Sequence, residues 1–133
     1  MTIEEKCGSY HDRGFNCSQS VLCTMTEETG LDETLSAKLG TCFGGGMRCG
    51  GVCGAVTGGL MAIGCTCVEG TDPAAEKEFS TELAHELEER FAAEIGTLLC
   101  SEIQEAHEKE WCPRCIELAA KITKEIIEKN RKK

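Results

Sequence analysis

The sequence predicts an all-α protein, a compact bundle of about five to seven helices with a glycine-rich loop before the central helix. Two observations favour this class. Apolar residues recur at four-residue spacing in the C-terminal half, as they do at Phe79, Leu83 and Leu87. Alternating patterns typical of strands are nearly absent. The length of 133 residues fits one domain, so we expect residues 1–133 to form a single cysteine-rich helical domain.

The N-terminal part carries signals for two helices. Asn16 can cap a helix that begins at Cys17, and Gln19 completes a capping box with it. Gly30 is the residue type that ends such a helix, and Asp32 can cap a shorter one. We therefore expect one helix between Cys17 and Gly30 and another after Asp32.

Glycine dominates the stretch from Gly44 to Gly51. Glycine loses too much backbone entropy on ordering for this to be a regular element, so we expect a loop whose conformation or close contacts exclude side chains. A helix follows from Cys53 to about Cys65, with Gly54 and Gly58 one turn apart. Glycine has a low helix propensity. A glycine-rich helix is therefore expected where another backbone packs tightly against it. We expect residues 66–70 to form a loop.

Helix signals continue through the C-terminal half. Asp72-Pro73 combines a cap with a first-turn proline, and Gly96 breaks the helix that they begin. The apolar residues between Leu98 and Ile103 suggest another helix, and Cys112-Pro113 starts the last one.

The charge balance excludes one class of partner. The chain carries 23 acidic and 14 basic residues, a net charge of −9. Nucleic-acid binding needs a basic face, and the only basic cluster is the tail from Lys129 to Lys133, so we expect no nucleic-acid partner. The first residues show no signal peptide, and no apolar run is long enough to insert into a membrane. We therefore expect a cytoplasmic protein with reduced thiols.

Eleven cysteines are the most informative feature of the chain, because a protein rarely carries so many thiols without using them. Cys53 follows the glycine loop and opens a helix, where backbone N–H groups stabilise a thiolate. Cys17, Cys100 and Cys115 lie at inward-facing positions of three other predicted helices. Each alone could fill the core as a small hydrophobic residue. Together the four suggest convergence on one site.

Two further cysteines are candidates for the same site. Cys49 lies across the glycine loop from Cys53, and Cys112 begins the run Trp111-Cys112-Pro113-Arg114-Cys115. This run is similar to the WCxxC of thioredoxins, but a thioredoxin fold requires a preceding strand, and the residues before Trp111 are typical of a charged helix. We therefore reject that fold and keep a dithiol function for the pair open.

Several of these segments, in this order, resemble the redox-active family known by its C-GCAxxG-C-C pattern. The matching segments are Gly14-Phe15-Asn16-Cys17, Phe43 to Met47, Cys53-Gly54-Ala55-Val56-Thr57-Gly58, Ile95 to Cys100, and Cys115 with Leu118-Ala119-Ala120. The resemblance covers residues from about 10 to 120. It implies a small helical protein whose shared cysteines are Cys17, Cys53, Cys100 and Cys115, with some relatives similar to parts of electron-transfer proteins.

Three chemical functions fit the cysteines. The first is redox activity through an iron–sulfur cluster bound by Cys17, Cys53, Cys100 and Cys115, with Cys49 or Cys112 as possible substitutes. The second is thiol–disulfide redox chemistry without a metal. The third is a structural zinc site, ranked last because such sites usually show tight Cys-x₂-Cys pairs from both halves of the site. A non-chemical interaction module is disfavoured by the cysteine density. We expect a redox partner protein, and the small-residue helix leaves a homodimer open.

Overall fold

The structure is a computed structural model that describes residues 1–131, so Lys132 and Lys133 of the basic tail lie outside the described residues. The helices are α1 Ile3–Asp12, α2 Cys17–Thr24, α3 Thr26–Thr29, α4 Glu33–Gly40, α5 Gly54–Cys67, α6 Pro73–Ile95, α7 Cys100–His107 and α8 Cys112–Asn130. Short helical turns cover Thr41–Phe43, Gly46–Gly50 and Glu108–Trp111. All but the single turn α3 are eight residues or longer, so the all-α prediction is confirmed.

Local capping explains where several helices begin and end. The side-chain oxygen of Asn16 accepts a hydrogen bond from the Gln19 backbone N–H at 2.8 Å, and the Gln19 side-chain oxygen accepts one from the Asn16 backbone N–H at 2.9 Å. Asp32 caps α4 through the backbone of Leu35 at 2.7 Å. Gly96 ends α6 with a φ of 99°, a conformation that favours glycine. These predicted boundaries are confirmed.

Three boundaries differ from the prediction. The helix from Cys17 stops at Thr24, and α3 continues separately. The Ser20 and Thr24 hydroxyls each donate to the carbonyl four residues earlier, both at 2.8 Å, and such back-bonding bends helices. Helix α5 runs on through Cys67, so the expected loop starts later. Helix α7 begins only at Cys100, because the residues before it pair with another segment.

The glycines of α5 are explained by close contact with α2. A Cβ on Gly58 would lie 2.5 Å from the Ser18 carbonyl oxygen, and one on Gly54 would lie 3.1 Å from the Ser18 backbone nitrogen. The expected tight packing against another backbone is therefore confirmed, and the neighbour is a helix of the same chain. On its other sides α5 packs against α6 and α8, which places it at the centre of the core.

The glycine-rich stretch forms a tight turn with unusual backbone angles. Gly45, Gly46 and Gly50 have positive φ, and so do Met47 and Arg48, with φ of 61° and 62°. Non-glycine residues rarely adopt this conformation, because it brings their Cβ close to the backbone. The sequence-based expectation of an irregular loop is confirmed.

Within residues 1–131, none of the helices combines the length and the apolar character needed to cross a membrane.

Candidate redox site

The N-terminal ends of four helices each present cysteine. Cys17, Cys100 and Cys112 are the first residues of α2, α7 and α8, Cys53 is the cap of α5, and Cys115 lies in the first turn of α8. Helix N-termini carry a partial positive charge from unpaired N–H groups. This charge favours a thiolate, and the contacts of each sulfur decide which of the five cysteines carries one.

A short antiparallel contact places Cys53 beside Cys100. The Cys53 N–H donates to the Leu98 carbonyl at 2.7 Å, and the Cys100 N–H donates to the Gly51 carbonyl at 2.7 Å. Val52 and Leu99 form the bridge between these two bonds. This contact cannot be predicted from the sequence, since one bridge is too short to leave an alternating pattern.

The first thiol pair joins Cys53 to Cys115 inside the core. Their exposed fractions are only 4% and 1%. The Cys115 thiol donates a hydrogen bond to the Cys53 sulfur, and this bond lowers the pKa of Cys53 despite its burial. The backbone N–H groups of Ala55 and Val56 lower it further. The same bond, together with burial, raises the pKa of Cys115. The pair therefore favours a thiolate on Cys53 and a proton on Cys115.

The second thiol pair joins Cys17 to Cys112 and is partly exposed. The Cys17 thiol donates a hydrogen bond to the Cys112 sulfur, which lowers the pKa of Cys112 from 9.0 to about 6, against the effect of burial. Lys109 contributes in the same direction. The bond raises the pKa of Cys17, and burial adds to that rise. The second pair therefore favours a thiolate on Cys112 and a proton on Cys17.

Cys100 is the fifth member of this group, and its backbone lies beside the Cys53 segment. Burial raises the pKa of its thiol, while a hydrogen bond from Gln104 Nε2, at 3.4 Å, opposes the rise. The negative charges of Cys53 and Cys112 also raise the pKa of Cys100, so its thiol lies within electrostatic range of one thiolate of each pair. We call Cys17, Cys53, Cys100, Cys112 and Cys115 the thiol cluster.

The four cysteines that the sequence favoured therefore influence one another's pKa, and Cys112, predicted only as a substitute, belongs to the same group. The signal for Cys112 was present in the CPRC run, because its spacing of three puts both sulfurs on one turn of α8. Cys49, the other substitute, is exposed on the glycine-rich turn, and its Sγ donates to the Gly46 carbonyl at 3.5 Å.

The other five cysteines have different surroundings, and all eleven thiols are free. Cys7, Cys23 and Cys67 are buried, and burial raises the pKa of Cys7 to about 12, so it behaves as core filler. Cys42 and Cys65 are exposed. These five offer controls for experiments on the thiol cluster.

Aromatic and basic side chains flank Cys112. The rings of His107 and Trp111 stack with centroids 3.4 Å apart and an interplanar angle of 3°. The Arg114 guanidinium lies 4.9 Å from the Trp111 ring centre. Trp111, the only tryptophan of the chain, is therefore fixed immediately before the partly exposed thiol.

Thiolate donors suit iron and zinc, but their arrangement here does not. The residues from 1 to 131 include no group of three or more His, Cys, Asp or Glu side chains placed to hold a metal ion. The cluster sulfurs instead meet two by two. As the helix ends lie, they do not fit an iron–sulfur cluster, so we derive no chemical step through one.

The fold and this site define a class: an all-α protein with a cluster of thiols at converging helix N-termini. The model of one protein family, described as "Putative redox-active protein (C_GCAxxG_C_C)", matches residues 15–126. The chain belongs to this family, and the resemblance predicted from the sequence is confirmed. No curated protein matches the chain significantly, and no solved structure does.

Proposed function

We propose that this protein is a thiol–disulfide redox protein that uses the cysteine pairs Cys17–Cys112 and Cys53–Cys115. The observation that carries the proposal is the contact within each pair between a thiol and a sulfur of lowered pKa. A dithiol of this kind contains both components of disulfide exchange, an attacking thiolate and a second thiol that resolves the mixed disulfide.

Cys112 is the attacking residue in this proposal, because its sulfur is partly exposed and its pKa of about 6 makes it a thiolate at neutral pH. It attacks one sulfur of a partner disulfide, forming a mixed disulfide and releasing the other partner sulfur as a thiolate. Cys17 then loses its proton to solvent and attacks Cys112 Sγ. The mixed disulfide breaks, the second partner sulfur leaves, and two electrons have passed to the partner.

The buried pair is a second two-electron store in the same site. Cys53 and Cys115 are almost inaccessible, so they exchange through the thiols beside them and not directly with a partner. Cys115 shares the first turn of α8 with Cys112, which links the two pairs by one helical turn. We propose a redox partner protein that itself carries a disulfide or a dithiol, in a compartment such as the cytoplasm that keeps thiols reduced.

A metal centre is the second candidate, and the number of clustered thiols favours it. Five thiols on four helices exceed what one dithiol requires, and a Cys₄ site could hold an iron–sulfur cluster or zinc. This candidate requires the helix ends to rearrange from their paired positions. We therefore rank the iron–sulfur cluster below the dithiol chemistry and zinc last.

One experiment separates these candidates. The protein is purified without oxygen, its iron, sulfide and zinc are measured, and it is then oxidised with diamide and digested for mass spectrometry. The proposal predicts a metal-free protein with Cys17–Cys112 and Cys53–Cys115 disulfides, which dithiothreitol reduces again. Cys65→Ser, which removes an exposed thiol outside the cluster, should give the same map. Stoichiometric iron and sulfide would instead show that the thiols bind an iron–sulfur cluster. Stoichiometric zinc would show that they form a zinc site.

A further inference from the structure

The glycine-rich turn brings an exposed thiol next to Cys100. Gly46 contacts both residues: a Cβ on Gly46 would lie 2.8 Å from Cys100 Cβ, and its carbonyl oxygen accepts from Cys49 Sγ at 3.5 Å. The turn also lies on the first residues of α7, since a Cβ on Gly50 would meet Ser101 Cβ at 2.9 Å. Gly51 contacts both cysteines too: a Cβ on Gly51 would lie 3.7 Å from Cys49 Sγ, and its carbonyl oxygen accepts from the Cys100 N–H at 2.7 Å. The backbone of these two glycines therefore joins an exposed sulfur to a member of the thiol cluster.

Cys100 differs from the other four members of the cluster. The hydrogen bond to its sulfur comes from an amide, that of Gln104, whereas each of the others is paired with a thiol. Its backbone is joined to the Cys53 segment by the two 2.7 Å hydrogen bonds of the antiparallel contact. Cys100 therefore stands between the buried Cys53–Cys115 pair and the turn that carries Cys49.

The turn is held in a conformation that can be released. Met47 and Arg48 both lie in the left-handed region, at φ of 61° and 62°, which disfavours residues with a Cβ. Cys49 itself has regained a negative φ of −135°. Cys49 Sγ reaches Cys100 only if this segment rearranges, because Gly46 is closely packed: a Cβ there would lie 2.5 Å from the Gly51 carbonyl oxygen.

We propose that Cys49 and Cys100 form a third, solvent-facing dithiol that passes electrons between the buried Cys53–Cys115 pair and an external disulfide. This inference rests on the proposed dithiol function and adds an access route to it. It assigns a role to Cys49, an exposed cysteine whose turn contacts Cys100.

The exchange takes place in four displacements. Cys49 thiolate attacks the external disulfide and releases one external thiolate. Cys100 thiolate then attacks Cys49 Sγ, which releases the second external thiolate and leaves a Cys49–Cys100 disulfide. Cys53 thiolate attacks Cys100 Sγ, and Cys49 leaves as a thiolate. Cys115 loses its proton to solvent and attacks Cys53 Sγ, so that Cys100 leaves. Two electrons have moved from the buried pair to the external disulfide.

The test uses the reduced full-length protein and oxidised glutathione as the external disulfide. Samples are quenched with acid at increasing times, alkylated and mapped by mass spectrometry. In the unsubstituted protein we expect the Cys49–Cys100 disulfide to precede the Cys53–Cys115 disulfide. In Cys49→Ser, formation of Cys53–Cys115 should slow by about tenfold or more, because a buried sulfur exchanges slowly with an outside disulfide. Cys42→Ser, which removes another exposed thiol, should behave as the unsubstituted protein.

The Cys17–Cys112 disulfide separates the two proposals. If it forms at the same rate in Cys49→Ser while Cys53–Cys115 is delayed, both proposals are supported. If Cys49→Ser oxidises the buried pair as fast as the unsubstituted protein, the access route is overturned and the dithiol function is unaffected. If Cys17–Cys112 forms in no variant while Cys49→Ser still delays Cys53–Cys115, the route is supported and the role of Cys112 is lost.

Discussion

Cys112 shows how one hydrogen bond sets the chemistry of a residue. Donation from Cys17 lowers its pKa from 9.0 to about 6. At pH 7 the thiolate fraction is then about ninety times that of an ordinary thiol, but a weaker base is a weaker nucleophile. With a Brønsted coefficient of about 0.45 the intrinsic loss is about twentyfold. The net advantage of Cys112 at pH 7 is therefore only several-fold.

A first prediction concerns the pH dependence of this thiol. Alkylation of Cys112 by iodoacetamide should be about fivefold faster than that of an ordinary thiol at pH 7. Its rate should stay nearly constant above its pKa and fall about tenfold per pH unit below pH 6, because only the thiolate reacts. Mass spectrometry of quenched samples, with exposed Cys65 as the internal reference, measures both quantities.

The same measurement on Cys17→Ala tests the cause of the lowered pKa. Without the donated hydrogen bond, the pKa of Cys112 should rise towards 9.0, so the rate at pH 7 should drop several-fold, while the rate above pH 9 should rise because a more basic thiolate is a stronger nucleophile. Cys7→Ser, a substitution at a buried cysteine outside the cluster, should leave the profile unchanged. A Cys112 profile that is identical in Cys17→Ala would refute the pairing.

At the scale of helices, the contact between α2 and α5 positions two of the reactive cysteines. A Cβ added to Gly54 would lie 3.1 Å from the Ser18 backbone nitrogen and 3.3 Å from Cys17 Cβ. Gly54 follows Cys53 directly, so close approach of the two helices also brings Cys17 towards Cys53. The CGAxxG run thus serves the site twice, through its thiol and through its missing side chains.

A second prediction follows from this contact. Gly58→Ala places a Cβ 2.5 Å from the Ser18 carbonyl oxygen, so the helices must separate and the free energy of unfolding should fall by about 1–3 kcal/mol. Gly64→Ala is the matched control on the same helix, because an added Cβ there meets nothing within 4 Å. It should be neutral or stabilise by up to about 1 kcal/mol, since alanine favours helix. Denaturation by urea measures both, and equal losses would contradict the packing argument.

The elements also show what the sequence could predict. The caps at Asn16, Asp32 and Asp72 depend on residues within one turn, so local sequence contains the whole interaction. The pairing of Cys17 with Cys112 depends on how α2 and α8 meet, and no local pattern contains that. The short contact of Cys53 with Leu98 is equally non-local. Helix positions were therefore predictable, whereas the choice of thiol partners was not.

For the whole molecule, the two pairs connect distant parts of the chain to α8. Oxidation of Cys17 and Cys112 closes a loop of roughly 100 residues, and chain entropy predicts a stabilisation of about 4.7 kcal/mol for such a loop. The disulfide is thereby easier to form in the folded protein than in the unfolded chain. For a two-electron couple this difference corresponds to about 100 mV. Folding thus makes the reduced pair a better electron donor.

The last prediction tests this linkage between folding and redox state. In the oxidised protein the Cys17–Cys112 disulfide should raise the free energy of unfolding by about 4.7 kcal/mol, and the Cys53–Cys115 disulfide should add to this gain. Guanidinium denaturation followed through Trp111 fluorescence, with and without dithiothreitol, measures the difference at both redox states. In Cys112→Ser this gain should be lost except for the part that Cys53–Cys115 supplies, whereas Cys42→Ser should retain it in full. Equal stability of the two redox states would mean that the disulfide strains the helix ends it joins, and the reduced pair would then gain no donor strength from folding.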